Sequence, residues 1–216
     1  MPEPLRPFAS KLVPLLVDNV DTDQIIPARF LKGTSKDGLG EGLFADWRYD
    51  GDGTPREGFV LNRPEMAGRA VLLAGANFGS GSSREHAAWA LRAFGIRAVL
   101  APLFADIFKN NCSKVGLLTV ELAPEDVDWL MARAEETPDA QIEVDLEAQV
   151  VRAGGGWERS FHVDPFVKYR LLNGLDDIGL TLANEGDISA FEATRSELKP
   201  VTTAEITGLG PLNLLE

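Results

Sequence analysis

The most constraining stretch of this 216-residue chain runs from Arg69 to Ala101. A short apolar run, RAVLLA (Arg69–Ala74), leads into the glycine-rich segment GANFGSGSS (Gly75–Ser83). Next comes REHAAWALRAF (Arg84–Phe94), then Gly95 and a second apolar run, RAVLA (Arg97–Ala101). In the third segment Ala87, Ala90, Leu91 and Phe94 fall at i, i+3, i+4 and i+7, which is one face of a helix. Gly95 stands where a C′ glycine ends such a helix. The apolar runs are too short for helices and show no alternation, so they read as strands buried on both faces. Strand, glycine turn, helix, strand is a βαβ unit, and its two strands must lie parallel. The chain therefore belongs to the α/β class, with at least part of its sheet parallel.

The flanking segments extend this plan. Lys11–Val17 (KLVPLLV) is strand-like and ends in a turn rich in Asp and Thr, Asp18–Pro27. Phe104–Asn110 reads as a helix and Leu117–Leu122 as another strand. Glu125–Glu136, after Pro124, is amphipathic. Ile142, Val144 and Leu146 alternate, and Val150-Val151 follow a polar break, which predicts a hairpin. Asp164-Pro165 opens a helix that Gly174 closes. Leu175–Phe191 looks helical, with a break near Gly186. Lys32–Gly58 carries Leu43, Phe44, Trp47 and Tyr49 without any period, and reads as a long functional loop that orders on assembly. From Ser196 to Glu216 the pattern fades into an arm or tail, leaving 1–195 as a single domain.

Composition narrows the function. With 21 Lys plus Arg against 33 Asp plus Glu, the net charge is −12. That excess argues against non-specific nucleic-acid binding and against docking on anionic lipid. A local cluster of donors can still hold a small anion. The sequence lacks a signal-like N-terminus and any run of about 18 apolar residues, so a cytoplasmic protein is expected. The single cysteine, Cys112, excludes an internal disulfide, fits a reducing compartment and excludes a Cys-rich metal site built by this chain alone.

Chemistry concentrates in Gly79-Ser80-Gly81-Ser82-Ser83-Arg84-Glu85-His86. Glycines admit close approach of a ligand to the backbone, a helix start offers unpaired N–H groups, and Arg84 adds a bidentate donor. Together they suit a carboxylate or phosphate. Ser82-x-x-Glu85 also has the form of a capping box, which would give Ser82 a structural task. The dinucleotide fingerprint lacks its third glycine here, no Gly-Lys-Ser/Thr follows, and the nucleophile elbow lacks its closing glycine. The two histidines, His86 and His162, support neither a triad nor a metal site.

Three segments in order resemble the small subunits of bacterial 3-isopropylmalate dehydratase, in the aconitase superfamily. They are DNVDTDQIIPARFL (Asp18–Leu31), GANFGSGSSREHAAWAL (Gly75–Leu91) and FVKYRLLNGLDDIGLT (Phe166–Thr181). The resemblance spans about Leu12 to Arg195. It implies a swivelling β/β/α domain with a mixed, partly parallel sheet, like the C-terminal domain of aconitase. It also implies a heterodimer with a large subunit that holds a [4Fe–4S] cluster, and no cofactor or metal on this chain. The implied activity is a hydro-lyase of leucine biosynthesis that interconverts 2- and 3-isopropylmalate. By the same resemblance Ser82 is the catalytic base and Asp23, from the T-D-x-I segment, a second catalytic residue. Ser83 and Arg84 bind substrate carboxylate, and Lys36 is a substrate-binding candidate in the long loop. Position 80 is Ser where relatives often carry Cys, position 88 is Ala where Pro is common, and Gly33–Asp37 departs from the relatives' basic, apolar segment. Alternatives are a small subunit acting on homoaconitate or a methyl-substituted malate, and a non-catalytic anion-binding module.

Overall fold

The computed structural model describes residues 1–32 and 38–195, so Lys36 and the segment from Ser196 lie outside the described residues. The chain divides into two compact units, Met1–Asp177 and Ile178–Glu216. The first holds a seven-stranded sheet in the order β4-β3-β2-β1-β5-β6-β7. Its strands are β1 (Phe8–Leu15), β2 (Val71–Ala74), β3 (Ala98–Ala101), β4 (Leu118–Glu121), β5 (Gln141–Asp145), β6 (Val150–Ala153) and β7 (Trp157–Ser160). Its helices are α1 (Thr22–Ile25), α2 (Ala45–Arg48), α3 (Glu85–Phe94), α4 (Asp106–Lys114), α5 (Pro124–Glu136) and α6 (Pro165–Asn173). The helix α7 (Asp177–Leu182) begins at the end of this unit, and α8 (Glu185–Arg195) lies in the second.

The sheet changes character at β1, which pairs parallel with β2 (Leu12 opposite Val71) and antiparallel with β5 (Phe8 opposite Val144). β2, β3 and β4 continue in parallel, as the βαβ reading requires, while β5, β6 and β7 form an antiparallel meander. Val71, Leu72, Leu73 and Ala74 are all fully buried, which explains an apolar run without alternation. Alternate residues serve opposite cores. Leu72 and Ala74 pack with α3 and α4 through Ala87, Leu91 and Phe108, whereas Val71 and Leu73 pack with α5 and α6 through Val127, Leu130 and Leu171. Each buried Val, Leu or Phe among them contributes about 1.5–3 kcal/mol by leaving water.

Two expectations change. The stretch after the undescribed residues is no simple loop. Leu43 and Phe44 are fully buried, and Phe44 stacks on Trp47 at 5.5 Å between ring centroids. Gly40 lies so close to the end of α3 that an added Cβ would sit 3.1 Å from the Ala93 backbone. These apolar residues reach the core through tight turns and the one-turn helix α2, so no period shows. The break between α7 and α8 falls at Ala183-Asn184, ahead of Gly186, which is inside α8.

Candidate active site

The C-terminal ends of parallel strands point their loops one way, and ligands of open α/β sheets bind there. Three such loops are stitched together. After β1 the chain passes through Asn19 in the left-handed region (φ 57°) and reaches Asp21, the N-cap of α1. The Asp21 carboxylate accepts from the Gln24 amide at 2.8 Å and the Gln24 side chain accepts from the Asp21 amide at 2.8 Å, a reciprocal capping box. The loop after β2 lies against this turn. Asn19 N–H donates to Ala76 O (2.8 Å), Gly79 N–H to Val20 O (2.8 Å), and Thr22 N–H to Ser80 O (2.9 Å). The loop after β3 joins through Phe78 N–H to Leu103 O and Ala105 N–H to Phe78 O, both 3.1 Å. Gly79, at φ 78°, can only be glycine, because a Cβ there would overlap the Phe108 ring.

This framework presents Ser82 and Ser83 to solvent. The Thr22 hydroxyl donates to the Ser82 carbonyl at 2.8 Å, fixing the backbone, while the Ser82 side chain makes no hydrogen bond with a described residue. The capping role expected for Ser82 is absent. The helix begins later, at Glu85, with Arg84 as N-cap in extended conformation (φ −136°, ψ 105°) and no side-chain cap. Ser82 belongs instead to the glycine turn, which stays tied to the Asp21–Thr22 segment and ends before the helix opens. The uncapped start of α3 therefore keeps its first amides and their partial positive charge for other partners.

Arg84 and Asp23 form an ion pair between α1 and the start of α3, with Arg84 the more buried of the two. A cleft of about 280 Å³ opens beside it. Thr22, Ser82, Ser83 and Arg84 line it together with Ile107, Phe108 and Asn111 of α4. Four of the expected site residues, Asp23, Ser82, Ser83 and Arg84, thus gather at one point, three of them on the cleft wall. Lys36 lies outside the described residues. The more distant cations are occupied elsewhere. Arg48 donates to Asn62 (3.0 Å) and to the Gly40 and Leu43 carbonyls (both 3.3 Å), and burial lowers its pKa. Arg56 pairs with Asp50 at 2.8 Å. Behind the cleft, Lys114 reaches Glu85 of α3 at 3.5 Å. Thr22 and Asn111 were not singled out from sequence. A threonine one residue before Asp23 and an asparagine inside a helix were the available signals.

The residues present do not fit an iron–sulfur cluster. Cys112 is fully buried in the core of α4, its thiol pKa raised well above the ordinary value by burial. Among the described residues no group of three His, Cys, Asp or Glu side chains could hold a metal.

A mixed sheet pivoting on its first strand, with a glycine–serine–arginine turn at the parallel ends, defines a class of protein. Residues 8–125 match the model of the Aconitase C-terminal domain. Residues 128–165 match LeuD_N, and residues 177–203 match the C-terminal domain of the 3-isopropylmalate dehydratase small subunit. The chain belongs to the family of 3-isopropylmalate dehydratase small subunits. It is 54% identical to the family member of Rubrobacter xylanophilus over 92% of this chain and 98% of that one. The identity to the protein of Roseiflexus sp. is 50%, over 94% and 98%. A solved 3-isopropylmalate dehydratase structure from Methanocaldococcus jannaschii superposes with a TM-score of 0.63 at 26% identity, covering 85% of this chain and 98% of that one. The expected swivelling-domain fold is borne out by the Aconitase C-terminal match and this neighbour.

Proposed function

We propose that the cleft supplies the proton-transferring and carboxylate-holding half of a two-subunit active site, with Ser82 as the base. Family membership makes the chain the small subunit of an isopropylmalate isomerase, a hydro-lyase of leucine biosynthesis. The small-subunit name implies a large-subunit partner. We assign that partner the [4Fe–4S] cluster of the aconitase-type reaction, since the one cysteine of this chain is enclosed in its core. No described helix is long and apolar enough to cross a membrane, and we assign the heterodimer to the cytoplasm.

In this reading Ser82 Oγ takes a proton from the methylene carbon of 2-isopropylmalate. The C–H electrons become the new double bond, and hydroxide leaves the neighbouring carbon. Re-addition in the opposite sense returns the Ser82 proton to the carbon that lost hydroxide and gives 3-isopropylmalate. A serine hydroxyl is a weak acid, so its alkoxide needs preorganised donors, and the uncapped start of α3 beside the Arg84 guanidinium provides them. Arg84 and Ser83 hold one substrate carboxylate. Asp23, paired with Arg84, orients the guanidinium and shares the site with substrate. Lys36 remains our candidate for a further carboxylate contact.

The observation that carries this reading is an exposed Ser82 hydroxyl with no hydrogen bond to a described residue, on the wall of a cleft shared with Arg84. In the assembled enzyme Ser82→Ala should lower kcat by roughly 10²–10⁴-fold. Association with the large subunit should be unchanged, because that side chain supports no described contact. A variant with near wild-type kcat would remove Ser82 from catalysis and leave an anion-binding loop.

A further inference from the structure

Asn111 lies within α4 and is only 5% exposed, and it lines the cleft. Its carboxamide makes no hydrogen bond with any described residue. Ser113, two residues on, shows how this helix otherwise treats buried polar groups. Its hydroxyl donates to Asn110 O at 2.7 Å and accepts from Arg170 at 3.3 Å. Asparagine is a poor helix former, and position 111 is inside α4 rather than at a cap, so capping does not account for it. Asn111 stands three residues after Phe108 and four after Ile107, on the helix face that borders the cleft. The carboxamide is not among the sealed, unsatisfied groups of the interior, so its idle donors open onto the cleft, where a ligand can use them.

The chemistry of the rest of the lining says which ligand group that is. Among the described lining residues Arg84 is the one cation, and Asp106, the one acid, pairs with Lys109 at 3.3 Å. A diacid brings two carboxylates, and beside the one guanidinium of the described lining Asn111 offers neutral N–H donors for the second. We propose that Asn111 is a substrate-binding residue, its Nδ2–H donating to the substrate carboxylate that Arg84 does not hold. This rests on the reading of the cleft as a diacid site, and it adds a contact from α4.

The test uses the assembled two-subunit enzyme, reading KM for isopropylmalate, the inhibition constant of a non-reacting succinate-type dicarboxylate, and Tm. Asn111→Leu, close in size, should raise both constants about ten- to a hundredfold, with Tm unchanged or higher. Asn111→Asp should bind the dicarboxylate more weakly still, and recover affinity as falling pH protonates the new carboxyl. Unchanged inhibition constants in both variants would overturn the proposal. So would a fall in Tm with the constants intact, the mark of a structural amide. If Asn111→Leu fails to fold, the isosteric Asn111→Asp decides alone. Failure of the base assignment is separable, because it shows as retained kcat in Ser82→Ala and leaves these inhibition constants readable.

Discussion

The two halves of the sheet use the same backbone ladder for opposite ends. β1 to β4 run parallel, with β2 and β3 buried on both faces, and need crossover connections, so every loop at their C-terminal ends lands on one edge. β5 to β7 turn back on themselves through short connections and keep one face wet. There Arg152 bridges Glu143 at 3.0 Å on one neighbouring strand and Glu158 at 2.6 Å on the other. The parallel half gathers Asp23, Ser82, Ser83, Arg84 and Asn111 around one cleft, and the antiparallel half supplies support. The candidate site follows crossover connections because they bring loops together from distant parts of the sequence, which a hairpin cannot do.

Glycine offers the strongest way to break this contrast. Gly79 on the parallel side and Gly155 in the turn before β7 both adopt positive φ, 78° and 79°. Gly79→Ala must overlap Phe108, whereas nothing lies within 4 Å of a Cβ at Gly155. The first should cost about 3–5 kcal/mol, from left-handed strain plus overpacking, and displace the serine turn. The second should cost about 1–2 kcal/mol from strain alone, with kcat untouched. Denaturant unfolding and turnover measured on both variants check this, and equal losses would erase the distinction.

A smaller effect is expected at Cys112, on the parallel side. Burial raises its thiol pKa in the folded chain. The stabilising contribution is therefore complete below the unfolded thiol value, about 8.5. It is lost as pH rises through the folded value. Thermal melts from pH 8 to 10 should show a decline that Cys112→Ala lacks, and identical slopes would place the alkaline sensitivity elsewhere. The smallest effect is expected from Arg152→Ala on the wet face of the antiparallel half. Its ion pairs are exposed, so Tm should shift slightly at low salt and not at all at high salt. A large, salt-independent loss would show that this half is held as tightly as the other.

The central βαβ unit was legible because its strands bury both faces and Gly95, at φ 108°, ends the helix where the pattern stops. α6 was equally plain. The Asp164 carboxylate accepts from the Phe166 and Val167 amides at 2.9 and 3.2 Å, Pro165 follows, and Gly174 closes at φ 64°. β7 was missed because Trp157 alone of its four residues turns inward, so no alternation develops. Leu43 and Phe44 were legible as apolar but not as core, since short turns have no period. The glycine–serine–arginine turn suggested an anion site from residue types alone. The same letters also suggested a cap at Ser82, and only the backbone bridge from Asp21 to Ser80 settles where the helix starts. Asn111 showed only as an asparagine within a helix, because its enclosure by distant parts of the chain leaves no further local mark.

The ion pair between Arg84 and Asp23 has a consequence for selectivity. The guanidinium already has a tethered tenant, and a covalently linked carboxylate competes at an effective concentration in the millimolar range or higher. In the proposed diacid site a stray monovalent anion would have to evict or crowd that tenant with one handle, while a diacid would bring two. Promiscuity is thus suppressed by a rival that never diffuses away.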